Sequence, residues 1–195
     1  VRYLEFTGGE PFMIQEHFQL LQRMVDKGIA HNVEIHYNTN GTQFPEQAEE
    51  IWKHFKLIDI SFSIDDVEER FEYQRANAVW TEVNANMDRF EAMRDRNTNI
   101  QLQVCSTVNV FNVMYLEGLA NWIDTRSFDF VYWNMLHEAR YHSVGTLPTR
   151  AKELVSNRLM ASKVSDFHMK EFVKIVDFIQ AGTSLDGKEL RSSVA

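Results

Sequence analysis

Thr7-Gly8-Gly9-Glu10-Pro11 stands between a short apolar and aromatic run, Arg2-Tyr3-Leu4-Glu5-Phe6, and a stretch of helical period that begins near Gln15. The run reads as a strand over 2–6. The later stretch reads as a helix over 15–27, with Phe18, Leu21, Met24 and Val25 on one face and Gly28 as its stop. Two consecutive glycines tolerate positive φ and let a ligand approach the backbone closely. Glu10 then sets a carboxylate beside exposed backbone groups, and Pro11 restricts it to extended conformations. Such a loop can hold a zwitterion, with the carboxylate on its ammonium and backbone amides on its carboxylate. The same composition also makes a tight turn with a solvated Glu.

The unit of strand, loop and helix recurs along the chain. Further strands are expected over 33–37, 57–64, 100–108 and 128–134. Between them lie helical patterns that start at Pro45, cover 80–94, and surround Leu116, Leu119, Trp122 and Ile123. The third strand alternates Ile58, Ile60, Phe62 and Ile64 with Asp59, Ser61 and Ser63, so one side of it is polar. Residues 65–79 are charged and irregular. Two helices, over 148–162 and 166–180, precede a polar tail with Gly182 and Gly187. Alternating strands and helices imply βαβ crossovers and a parallel sheet. Five such units make either an incomplete (β/α) barrel or a doubly wound sheet, and in both the ligand lies where strand C-termini feed into loops.

With 195 residues the chain fits one domain, and 44% hydrophobic residues, including 14 Phe and 4 Trp, supply a sizeable core. A net charge of -8 and the lack of any Lys/Arg run argue against a nucleic-acid partner. No apolar run approaches the roughly 20 residues of a membrane span, and no signal peptide opens the sequence, so a cytoplasmic location is expected. The single cysteine, Cys105, excludes an internal disulfide and cannot by itself hold a zinc ion or an iron–sulfur cluster. Inside an apolar strand it reads as a small buried hydrophobe.

Leu4-Glu5-Phe6-Thr7-Gly8-Gly9-Glu10-Pro11 resembles the second barrel strand and following loop of radical S-adenosylmethionine (radical SAM) enzymes. Three further segments resemble that family in order: Tyr37-Asn38-Thr39-Asn40-Gly41 its third strand end, Ile60 to Asp65 followed by Arg75 its fourth strand and loop, and Val104 to Asn112 its fifth. The wording is nearest to members with twitch or SPASM extensions. The resemblance implies a partial, TIM-like (β/α) barrel of about five units over 1–142, its first unit missing, with a helical extension over 143–195. It implies S-adenosylmethionine as cofactor, bound by Thr7, Gly8, Gly9, Glu10, Pro11, Asn38, Ser63, Arg75 and Asn109. It further implies a [4Fe–4S] cluster, an electron donor and an oxidoreductase reaction: reductive cleavage of S-adenosylmethionine to a 5′-deoxyadenosyl radical that abstracts hydrogen from an unknown substrate, a peptide being one class.

Physical chemistry leaves alternatives at most of these positions. Ser63 can bond a ribose or carboxylate, or a neighbouring strand. Arg75 can fork onto a carboxylate or pair with Glu68, Glu69 or Glu72. Asn38 can line a pocket or serve a turn, Asn109 can reach the cofactor, and Asn112 reads as a helix cap. Asp65-Asp66 reads as a solvated loop, and His36 and His137 as structural histidines, His137 also being placed to touch substrate. The family's three cluster cysteines, spaced Cys-x-x-x-Cys-x-x-Cys, do not occur in this sequence. The chain opens in mid-strand, and the expectation is a fragment whose cluster unit lies upstream of Val1, inert alone. Two other readings remain open: a cluster-free barrel acting as a binding module, and an unrelated α/β-barrel lyase. The latter lacks an obvious Schiff-base lysine at a strand end.

Overall fold

The computed structural model describes residues 1–137 and 139–184. Among the described residues, five strands alternate with seven α-helices: β1 (Tyr3–Phe6), α1 (Gln15–Asp26), β2 (Glu34–Thr39), α2 (Ala48–Trp52), β3 (Leu57–Ser63), α3 (Glu68–Gln74), α4 (Trp80–Arg96), β4 (Ile100–Val108), α5 (Leu116–Asp124), β5 (Phe130–Met135), α6 (Thr149–Met160) and α7 (Asp166–Ala181). The sheet runs β1-β2-β3-β4-β5, and its first four strands pair in parallel, as the alternating pattern requires. Among the described residues no helix is long and apolar enough to cross a membrane.

The chain divides into two compact units. The first comprises Val1–Ile64, Phe71–Cys105 and Ser127–Tyr132; the second comprises Asp65–Arg70, Ser106–Arg126 and the described residues from Trp133 onward. In the first unit Tyr37, Ile58, Ile60, Phe62, Leu102 and Val104 are all fully buried. Tyr37 and Phe62 reach the helices: Trp52 of α2 donates its indole N–H to the Tyr37 hydroxyl at 3.2 Å, and the Phe62 ring meets Phe90 of α4 at 5.2 Å. Phe12 joins the same aromatic layer, 5.0 Å from Tyr37 and 5.9 Å from Trp52. Such rings dominate core energetics through buried area and tilted contacts.

In the second unit α6 and α7 bury Val155, Leu159, Phe172, Ile175 and Ile179. Lys152 donates to the Gly182 carbonyl at 2.6 Å, which satisfies one of the orphan carbonyls at the end of α7. His168 is fully buried. Its Nδ1 accepts the Trp133 indole N–H at 3.2 Å, and its Nε2 lies 3.1 Å from Asp124 Oδ1.

Several elements differ from expectation for local reasons. The helix after Pro45 is short: Pro45 opens a turn, Ala48 N–H donating to its carbonyl at 3.0 Å, and only Ala48–Trp52 is helical, with Phe55 buried beyond it. The segment read as irregular contains α3. β2 runs on to Thr39, so Asn38 lies inside the strand and not in the turn. Asn112 does not cap α5, whose N-cap is Tyr115. Gly187 lies outside the described residues, as do 185–195 of the expected helical extension.

Candidate cofactor loop at the strand ends

The Thr7–Pro11 loop leaves β1 at its C-terminal end. Gly8 and Gly9 have φ of 85° and 60°, a left-handed pair that only glycine adopts freely, with no atom beyond the adjacent residues within 4 Å of where a Cβ would stand. Their backbone is therefore open to a ligand. Glu10, in extended conformation, is turned inward and only 7% exposed. Its carboxylate accepts Phe12 N–H at 3.2 Å, the Thr39 hydroxyl at 2.9 and 3.0 Å, and Asn40 N–H at 3.0 Å. Glu10 is thus no solvated turn residue: it ties the β1 loop to the end of β2. Thr39 and Asn40, its partners, stand in the Tyr37–Gly41 segment, but only strand pairing shows that they lie beside Glu10.

Burial pushes the Glu10 carboxyl above its ordinary range, against the hydrogen bonds from Asn40, Thr39 and Phe12, which lower it. Three donors thus do not fully offset the desolvation of this charge. A carboxylate has about four lone-pair sites, and the single Thr39 proton is shared between both oxygens, so a cationic donor such as an ammonium can take the place of half of that shared bond.

The other expected positions divide between the units. Ser63 closes β3, half-buried, and its hydroxyl makes no hydrogen bond among the described residues. Asn38 is also half-buried and without a side-chain hydrogen bond among them. Arg75 follows α3, with its guanidinium 5.8 Å from the Phe71 ring centroid. It lines a cavity of about 480 Å³ together with Asn40, Thr42, Asn77 and Glu82. Asn109 belongs to the second unit. There its side chain serves its own loop, accepting Phe111 N–H at 2.8 Å and donating to the Thr107 carbonyl at 3.1 Å.

Neighbouring residues depart from their sequence reading. Asp66 is not solvated but fully buried, accepting Val67 N–H at 2.8 Å and Arg70 Nε at 3.1 Å. Asn112 braces the same loop, donating to the Asp65 carbonyl at 2.7 Å. Cys105 is half-buried and pairs in register with Ser63 instead of packing among the core residues. His36 pairs with Asp59 across β2 and β3, Nδ1 to Oδ2 at 2.7 Å. His137 lies 5.1 Å from the Phe178 ring.

A [4Fe–4S] cluster does not fit the residues of this chain. The sequence offers one thiol, and among the described residues no group of three or more His, Cys, Asp or Glu is placed to hold a metal ion.

No family model and no curated protein sequence matches the chain. Solved structures do. One of them, native anSMEcpe with bound AdoMet and Cp18Cys peptide, superposes with a TM-score of 0.57 at 16% identity, covering 93% of this chain and 49% of that one. The chain therefore spans about half the length of the protein it matches, and at that identity the likeness is one of fold.

Proposed function

We propose that these residues form part of a radical SAM-type barrel and bind S-adenosylmethionine at the C-terminal ends of β1 to β3. The observation that carries this reading is the Thr7–Pro11 loop: a left-handed glycine pair with open space beside it, followed by the inward-turned Glu10 carboxylate held by Thr39 and Asn40. Glu10 takes the ammonium of the cofactor's methionine moiety, and the backbone of Thr7, Gly8, Gly9 and Pro11 lies against that moiety. Ser63 and Asn38 offer a free hydroxyl and amide at adjoining strand ends, and Arg75 a forked donor for the carboxylate.

The fold likeness to anSMEcpe, a radical SAM enzyme solved with AdoMet and a peptide, supports the same reading. Bound S-adenosylmethionine supplies a sulfonium whose reductive cleavage yields a carbon radical. That step belongs to a cluster that this chain has no ligands to hold, so the role proposed for these 195 residues is cofactor binding and orientation.

Calorimetric titration of the chain with S-adenosylmethionine tests the proposal. One saturable site, weakened in both Glu10→Ala and Ser63→Ala, is the expected result; affinity unchanged in both variants removes the assignment.

A further inference from the structure

A second cavity, of about 180 Å³, lies where the glycine loop meets α1, and Glu5, Phe6, Thr7, Gly8, Ile14 and His17 line it. Glu10 and its hydrogen-bonding partners Phe12, Thr39 and Asn40 do not border it, nor do Asn38, Ser63 and Arg75. Thr7, Gly8 and Pro11 are all that it shares with the proposed cofactor site. An apolar cavity of about 150 Å³ accepts benzene, so the space suits one small ring.

His17 is the unusual group in this lining. It is 7% exposed, and its ring is held beside those of Phe18 at 3.9 Å, Phe6 at 4.8 Å and Tyr37 at 5.6 Å. Nδ1 lies 2.5 Å from the Ile14 carbonyl oxygen, which can only accept, so Nδ1 carries a proton. Burial lowers the pKa of the ring, which is therefore neutral at pH 7.5, with a lone pair on Nε2. That Nε2 is buried and has no hydrogen-bond partner among the described residues. Buried polar groups are normally partnered, because each unmet donor or acceptor keeps its full desolvation cost.

The rest of the lining says what would meet that lone pair. Glu5 adds an exposed carboxylate, no lysine or arginine borders the cavity, and Phe6, Pro11 and Ile14 supply apolar wall. An anion would be repelled by Glu5 and would leave Nε2 unmet. An apolar molecule would leave both acceptors unmet. A metal ion would find one imidazole and one carboxylate, and among the described residues no group of three ligating side chains is placed to hold one. A flat cation with N–H donors satisfies the acceptor, the charge and the apolar wall together.

We propose that this cavity binds a small, flat organic cation of the amidinium or imidazolium class, which donates an N–H to His17 Nε2 and holds its charge beside Glu5. Its ring lies against Phe6, Pro11 and Ile14. The site does not rest on the cofactor reading, whose hydrogen-bonding side chains are different ones.

The probes are benzamidine and benzamide, which share a shape and differ in charge, each titrated at pH 7.5 into the 195-residue chain without S-adenosylmethionine. Benzamidine is expected to bind at least about tenfold tighter, as a charge-assisted contact gives, and to shift the His17 Nε2 nitrogen resonance saturably. His17→Phe keeps a ring but removes the acceptor, and should weaken benzamidine by about tenfold or more. Glu5→Gln, at an exposed position, should bring the ratio of the two probes to about one while the His17 shift is retained. No saturable binding, equal affinity for the two probes, an unmoved His17 resonance or a ratio retained in Glu5→Gln overturns the proposal, and these readouts decide it even where His17→Phe does not fold. Glu10→Ala should leave benzamidine affinity unchanged, and displacement of benzamidine by S-adenosylmethionine would also overturn a separate site. Benzamidine binding without S-adenosylmethionine binding removes the cofactor reading and leaves the cavity; the reverse result removes the cavity and leaves the cofactor.

Discussion

The Thr39 hydroxyl lies 2.9 and 3.0 Å from the two carboxylate oxygens of Glu10, so a residue at the end of β2 fixes the orientation of a carboxylate from the loop after β1. Thr39 is 1% exposed, and its oxygen also accepts Gly41 N–H at 3.0 Å. Two turns thereby share one hydroxyl. Thr39→Val keeps the shape but removes both bonds, leaving a buried carboxylate short of a donor. It should destabilise the chain by about 1–3 kcal/mol in urea unfolding. Full stability in Thr39→Val would mean that the bridge contributes nothing.

Glu10 carries opposite pH signatures in stability and in binding. Its folded pKa is raised above the unfolded value, so its contribution to stability is present below that unfolded value and lost as pH rises through the folded one. An ammonium, by contrast, needs the ionised carboxylate. Affinity for S-adenosylmethionine should therefore fall as pH drops through the raised Glu10 pKa, and titrations at stepwise lower pH check this; an affinity flat across that window speaks against Glu10 as the ammonium partner.

Gly182 closes α7 against Gly145. A Cβ at position 182 would stand 2.2 Å from the Gly145 carbonyl oxygen and 2.6 Å from its Cα, both backbone atoms that no rotamer change can move aside. Its φ of -71° is ordinary, so the demand is for space and not for a special conformation. Gly182→Ala should cost about 1–3 kcal/mol by overpacking, measured by thermal or urea unfolding. An unaffected melting temperature would show that the two glycines do not touch in solution.

His168 gives the second unit an acid-sensitive point. Burial lowers its pKa, against the pull of Asp124 and Glu171. With the folded value below the unfolded value of about 6.5, the unfolded chain binds the proton first. The stability this histidine contributes is complete above that pH and is lost as pH falls through the folded pKa. His17 is shifted in the same direction by its own burial. Stability should thus decline on going from pH 7.5 towards 5, and His168→Phe should flatten part of that slope, leaving the share of His17. An identical slope in the variant would contradict the assignment.

Strand and helix positions were legible because burial imposes period: Ile58, Ile60 and Phe62 mark β3 by alternation, and Phe18, Leu21 and Met24 mark α1. α3 was not legible, since Glu68 to Gln74 buries only Phe71 and shows no apolar stripe. The glycine loop and its carboxylate could be read directly. That Glu10 turns inward could not, because Thr39 and Asn40 are about thirty residues away and meet it only through strand pairing. The polar side of β3 was visible as Asp59, Ser61 and Ser63, but its extension through His36 and Gln103 is a property of register, which one strand alone does not encode.

Cofactor binding at the strand ends requires that the open glycine pair and Glu10 meet the ligand. Backbone amide chemical shifts of the chain, recorded while S-adenosylmethionine is added, test this most directly. Saturable shifts at Gly8, Gly9 and Asn40, lost in Glu10→Gln with the rest of the spectrum retained, are predicted. Saturable binding that leaves Gly8, Gly9 and Asn40 unmoved, or that persists unchanged in Glu10→Gln, would contradict it.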